Sequence, residues 1–165
     1  MPKTISLRDF LLTGEFGGIQ HDTRPEQVSA LLGKADHRYD EDSGVTHFLY
    51  GWYELAFFEG TAMYLQNHAI QSDPSDRLFQ NQRINVDPWI FDRPTPLTKP
   101  EIVTALSKCN GAFRNIIYNG RDAIQMASGV ILDFNPSIED ATRIVCDAIS
   151  LTFPDFRTPL RETAG

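Results

Sequence analysis

The sequence predicts an α+β fold: two tandem helix-plus-antiparallel-meander repeats packed as one body, with a C-terminal helix. Three observations carry this. Thr23-Arg24-Pro25-Glu26-Gln27-Val28-Ser29-Ala30-Leu31 recurs as Thr98-Lys99-Pro100-Glu101-Ile102-Val103-Thr104-Ala105-Leu106, with six of nine positions identical and an offset of 75 residues. Further on, Tyr53-x-Leu55-x-Phe57 recurs as Val130-x-Leu132-x-Phe134 at an offset of 77. After each repeated helix start the apolar period switches from helical to alternating. Matches that keep both order and spacing indicate two units, 1–80 and 81–165.

Ser6–Leu12 reads as a short helix, capped by Ser6 and carrying Leu7, Phe10 and Leu11 on one face. Gly14, Gly17 and Gly18 end it. In the first repeated segment Thr23 reads as N-cap, Pro25 sits in the first turn, and Glu26 occupies the third helical position, a capping box. Val28, Leu31 and Leu32 form its apolar stripe. Thr98, Pro100 and Glu101 take the same places in the second copy, with Ile102, Val103 and Leu106 as the stripe. Both glutamates thereby have a structural explanation.

Alternating runs follow each helix. Thr46–Tyr50, Tyr53–Phe58 and Ala62–Ile70 read as a meander, with Gly51 and Gly60 at the turns. Phe113–Tyr118 and Asp122–Ala127 flank Asn119-Gly120, a strong short hairpin signal, and Val130–Phe134 is the next strand. Ser137 and Asp140 suggest the start of a last helix, with Ile138, Ala141, Val145 and Ala148 on one side. The tail after Phe153 reads as irregular. Between the units, residues 71–97 hold Pro74, Pro88, Pro94 and Pro96, and Ile84-Asn85-Val86 suggests a strand. Trp89, Ile90 and Phe91 are too apolar for a free linker and are expected to pack across the junction.

The net charge is −7. It is concentrated in residues 1–80, with 12 acidic against 6 basic side chains, compared with 10 against 9 in the rest. Such a balance argues against nucleic acid as a ligand, which requires a basic footprint. No window approaches the ~18 apolar residues of a membrane span. The N-terminus has Lys3 and only a short apolar patch, so a cytoplasmic location is expected. Cys109 and Cys146 match no metal-ligand spacing and read as buried free thiols.

Motifs for phosphate binding, zinc hydrolysis, thiol redox chemistry and nucleophilic serine catalysis are absent. His21, His37, His47 and His68 all fall in the first unit, and none is paired with another at metal-ligand spacing. They read as surface histidines. No metal or cofactor is expected, and Asp133 reads as an outward residue of its strand. Asp36, Asp40, Glu41 and Asp42 cluster in an apparent loop, either a solvated loop or a negative face that steers a basic partner. The first sheet is aromatic-rich: Phe48, Tyr50, Trp52, Tyr53, Phe57, Phe58 and Tyr64 lie within 17 residues. With Tyr53, Leu55 and Phe57 facing the helices, Phe58 falls on the other face, and Tyr64 and His68 join it by their own spacing. That set is either core packing or an exposed recognition patch.

Phe16-Gly17-Gly18-Ile19, followed by Thr23-Arg24-Pro25-Glu26-Gln27-Val28-x-x-Leu31-Leu32-Gly33-x-x-Asp36, resembles a recurrent bacterial signature. It is that of the outer-membrane assembly lipoproteins of SmpA/OmlA type and of the β-lactamase inhibitory protein units. The chain departs from it at His21-Asp22, at Ala35 and at Ser107-Lys108-Cys109 of the second copy. The resemblance implies tandem helix-plus-sheet units that bind proteins and catalyse nothing; without a lipoprotein signal, the lipoprotein role is not implied. The order of elements is also similar to that of secretion chaperones.

The expectation is therefore a protein-binding inhibitor, an immunity protein that neutralises a basic toxin, with Asp36, Asp40, Glu41, Asp42, Phe58, Tyr64 and His68 as the partner-binding set. The alternatives are an effector chaperone, which would be an obligate dimer, and an enzyme whose site gathers His47, His68, Asp133 and Arg114 between the units. The sequence does not specify an oligomeric state.

Overall fold

The computed structural model describes residues 1–156 and 161–162. The chain begins with strand β1 (Lys3–Ser6), which runs directly into helix α1 (Leu7–Thr13). Ser6 caps α1 by accepting the Asp9 N–H, and Leu7, Phe10 and Leu11 are buried. Helix α2 (Pro25–Leu32) precedes four strands: β2 (His37–Asp40), β3 (Val45–Tyr50), β4 (Tyr53–Phe58) and β5 (Thr61–Asn67). Strand β6 (Ile84–Asp87) pairs in parallel with β1 as a separate two-stranded sheet. Helix α3 (Lys99–Lys108) precedes β7 (Phe113–Tyr118), β8 (Arg121–Met126), β9 (Ile131–Pro136) and β10 (Ile144–Thr152); β11 (Arg161–Glu162) is a two-residue strand.

The large sheet is antiparallel, in the order β11-β7-β8-β9-β10-β5-β4-β3-β2. Each four-strand meander is therefore contiguous, and the two meet where β10 pairs with β5, Ile149 opposite Asn67 through Thr152 opposite Tyr64. Loop chemistry accounts for the tight turns. Asn119 and Gly120 both take positive φ, 51° and 78°, as the Asn-Gly signal requires, and Glu59-Gly60 makes a turn of the same kind at 47° and 80°.

One hydrophobic core spans both meanders. Phe48, Tyr50, Tyr53, Leu55, Phe57, Leu132, Phe134 and Leu151 meet Phe10, Leu11, Val28, Leu32, Ile102 and Leu106 from the three helices. Phe91 is buried at the junction, with Trp89 and Ile90 packed beside it. The connecting segment is fastened by Arg77, only 1% exposed. Its guanidinium donates to the carbonyls of Ile70, Ser72, Phe91 and Arg93, while the Arg77 carbonyl accepts the Tyr53 hydroxyl at 2.6 Å. One side chain thus draws both ends of residues 70–93 onto the core.

Several expectations are corrected. The expected C-terminal helix is strand β10: only Val145, Cys146 and Ala148–Leu151 of it are fully buried, in the middle of the sheet. A β-branched, apolar run covered on both faces shows no clean period of two, so its spacing also fitted a helix. Asp140 instead caps a turn, accepting the Thr142 N–H at 3.0 Å. At α2 the cap lies one residue later than expected. Thr23 Oγ1 closes the preceding turn on the Gln20 N–H, Arg24 is the N-cap, and Gln27 rather than Glu26 reaches back to it. At α3 the capping box forms at the expected residues, with the Thr98 N–H donating to the Glu101 carboxylate and the Thr98 hydroxyl donating to it as well. The apparent acidic loop is partly the edge strand β2, and the β5 strand stops at Asn67. In the tail, Pro154–Phe156 form a 3₁₀ turn and β11 pairs with β7; the rest lies outside the described residues.

Candidate functional site

Strand alternation sends one set of side chains away from the helices. Across β2–β5 this outer set includes Tyr39, His47, Leu49, Glu54, Ala56, Phe58, Tyr64 and Gln66, because Tyr39 is opposite His47, His47 opposite Ala56, and Ala56 opposite Tyr64. At its centre is Glu54. Its Oε1 lies 2.7 Å from His47 Nδ1 and accepts the Tyr64 hydroxyl at 3.2 Å and the Tyr39 hydroxyl at 3.4 Å. Its Oε2 accepts from Gln66 Nε2 at 2.8 Å. The other nitrogen of His47, Nε2, lies 3.1 Å from Glu41 Oε1 in the β2–β3 turn. Both contacts are hydrogen bonds at once only when both ring nitrogens carry protons.

His47 is 5% exposed, with the Tyr39 ring stacked on it at 4.3 Å between centroids. The expectation of a surface histidine is therefore overturned at this position. Burial pushes the Glu54 carboxyl up, but bonds from Gln66, His47 and Tyr64 together with the His47 charge outweigh it, and its pKa is lowered. Tyr64 moves the other way: burial first, then the Glu54 carboxylate, raise its phenol well above the ordinary value. The arrangement holds one carboxylate ionised and two tyrosines as donors. Chemically it is a rigid polar surface with an oriented imidazole.

The expected partner-binding residues do not all come together. Asp40 is exposed and accepts the Thr46 hydroxyl at 2.6 Å, Glu41 reaches His47, and Asp42 is exposed in the same turn. Asp36 is at the other end of the hairpin, where its carboxylate accepts the Gly51 N–H at 2.7 Å. Phe58 and Tyr64 share the outer face, with Phe58 edge-on to Phe156. His68 is exposed beyond the end of β5, close enough to the second half to favour ionisation of Asp133.

The residues expected to form an enzyme site also stay apart. His47 belongs to the Glu54 network, whereas Arg114 bonds Gln125 across β7 and β8. Asp133 is buried at 7% exposure, not turned to solvent as expected, and Arg121 Nη2 lies 3.5 Å from its Oδ2. Burial raises its pKa, with Arg121 and the Phe134 N–H opposing. Among the described residues no three His, Cys, Asp or Glu side chains gather as a metal site. No helix among them is long and apolar enough to cross a membrane. A cleft of about 340 Å³ lined by His21, Asp22, Arg24, Glu59, Gly60 and Thr61 is polar and separate from the Glu54 network.

Sequence reading missed Tyr39, His47, Glu54 and Gln66 as a group. A signal existed: closing the Gly51-Trp52 turn with Tyr50 opposite Tyr53 puts Leu49 opposite Glu54 and His47 one diagonal step away on the same face. Comparison of the chain with known protein families, curated proteins and solved structures found no match.

Proposed function

We propose that this chain is a protein-binding inhibitor of the immunity type, which neutralises a basic toxin through the acidic, aromatic outer face of β2–β5. Residues from α2 to β5 and from α3 to β10 are then two copies of one unit, joined through their fourth strands, of which the first has become the binding copy. The observation that carries this reading is the Glu54 network. It holds the Tyr39 and Tyr64 hydroxyls, the His47 ring and the Glu41 carboxylate in fixed places before any partner arrives, which reduces the ordering cost of binding. Asp40, Glu41 and Asp42 stand exposed at one end of that surface, where negative charge accelerates encounter with a basic protein.

The test is titration calorimetry against a basic toxin encoded beside this protein in its native host, with toxicity rescue by co-expression. Joint alanine substitution of Asp40, Glu41, Asp42, Phe58 and Tyr64 is expected to weaken binding by about 100-fold or more and to abolish rescue. Unchanged affinity in that variant would place the contact surface elsewhere. Turnover of a small molecule by the purified protein, lost in His47→Gln, would replace inhibition by an enzymatic role.

A further inference from the structure

We infer that strand β2, the edge of the large sheet among the described residues, pairs with β2 of a second copy, so that two chains form one continuous antiparallel sheet across a two-fold axis at Tyr39. The backbone comes first. Glu41 N–H bonds Val45 O at 2.7 Å, and the register pairs Tyr39 with His47 and His37 with Leu49. Ladder bonds of an antiparallel pair fall on alternate residues, so positions 37, 39 and 41 face β3. The N–H and C=O groups of Arg38 and Asp40 point outward from the sheet. All four residues of the strand are exposed, and no proline interrupts it.

Charge then selects the register. Pairing through the outward groups allows three central alignments of this short segment with its own copy. Two of them set Arg38 against Arg38 or Asp40 against Asp40, which is destabilising. The third sets Arg38 of each chain opposite Asp40 of the other, with Tyr39 opposite Tyr39. This alignment alone satisfies the outward backbone groups and both charges, and it adds an aromatic cross-strand pair. Glu41 then falls opposite His37, and Asp42 opposite Asp36 only where the turn leaves the strand.

The two charged side chains are placed for this role. Both are more than half exposed, at 56% for Arg38 and 64% for Asp40, and lie on the same side of the strand. Arg38 is steadied over the Phe48 ring at 5.1 Å, and Asp40 uses Oδ1 for Thr46. Their mutual separation of 3.8 Å within one chain is a loose contact that a partner strand can replace. Four residues a side bury less surface than a standard interface, so the dimer is reversible and concentration-dependent. The outer face carrying Tyr64 and Phe58 stays open in it, whereas Asp40 and Glu41 lie along the paired edge; the inference does not depend on the toxin reading.

Sedimentation of the full chain over a concentration series tests it. The wild-type protein is expected to pass from monomer to dimer. Arg38→Asp alone and Asp40→Arg alone each bring like charges together in the dimer and are expected to weaken self-association about tenfold or more. Mixed in equal amounts, the two variants recreate both opposite-charge pairs and are expected to form a heterodimer, read by retention of the untagged variant on the tagged one. That recovery also shows that both variants are folded. A wild-type chain that stays monomeric throughout overturns the proposal and leaves the edge to another protein's strand. A dimer indifferent to either reversal, or a mixture without heterodimer, overturns it equally.

Discussion

The two halves of the large sheet present different chemistry on their outer faces. Across β2–β5 a single carboxylate, Glu54, collects His47, Tyr39, Tyr64 and Gln66, and its ionised form is favoured. Across β8–β10 the polar groups form a chain. Arg121 bonds Asn135, Asn135 bonds Asp147, and Gln71 from the connecting segment bonds Asp147 in turn. Beside it Asp133 is buried with its charge disfavoured, and Ile116, Ala123 and Ile131 make a small apolar cluster. Similar strand order therefore does not dictate similar surfaces. The first half arranges acids and aromatic rings around an ion, whereas the second uses its polar groups to bind its own strands and the linker.

The widest test of that contrast removes what fastens the halves together. Arg77→Met leaves the carbonyls of Ile70, Ser72, Phe91 and Arg93 without their donor in the core. Buried acceptors left unsatisfied cost about 1–3 kcal/mol each, so a loss of more than about 3 kcal/mol is expected in urea unfolding. A loss below about 1 kcal/mol would mean that the connecting segment is held by its apolar residues instead.

A paired substitution separates the two outer faces. Glu54→Gln removes the ion that four donors serve, and a loss of about 1–2 kcal/mol is expected at neutral pH. Asp133→Asn replaces a carboxylate whose charge the fold disfavours, and a change of about zero or a slight gain is expected. Equal losses at the two positions would show that the faces are organised alike after all.

Acid titration of stability sharpens the same comparison. Glu54 and Glu101 have folded-state pKa values below the ordinary 4.5, for Glu101 through the Thr98 N–H and hydroxyl. Their contribution is present above the ordinary carboxylate range and is lost as pH falls through the depressed values. Asp133 acts with the opposite sign, since its raised pKa makes protonation easier in the folded chain and adds stability as pH falls. Glu54→Gln should flatten the acid-side decline of the unfolding midpoint below about pH 4.5, whereas Asp133→Asn should steepen it. The reverse pattern would exchange the roles assigned to the two carboxylates.

The smallest expected difference is between the helix caps. Glu101→Ala removes the acceptor for Thr98 and the contact with Arg93 at 3.2 Å, and about 1 kcal/mol is expected. Gln27→Ala removes a single neutral bond to Arg24, with about 0.5 kcal/mol expected. Thermal unfolding of the two variants orders them.

Much of this was legible before the fold was known, where the signal was local. Asn119-Gly120 marked its hairpin because both residues must adopt positive φ, and the repeated Pro-Glu segments marked two helix starts because a first turn tolerates proline. Tyr53, Leu55 and Phe57 marked a core face by alternation. Ile144–Thr152 was misread because a central strand is apolar on both faces and loses the alternation that separates strand from helix. The acidic cluster was misread as a unit because adjacency in sequence took no account of β2, which carries Asp36 and Asp42 to opposite ends of a hairpin.

The sequence by itself determined the α+β class, both repeated helix starts, the tight turns and most strand faces, since each follows from residues within a few positions of one another. Only the tertiary structure decided that β10 and β5 join two meanders into one sheet, and that Arg77 gathers carbonyls as far apart as Ile70 and Arg93. Those contacts depend on sheet register and chain crossing, which bring together residues that no local pattern relates.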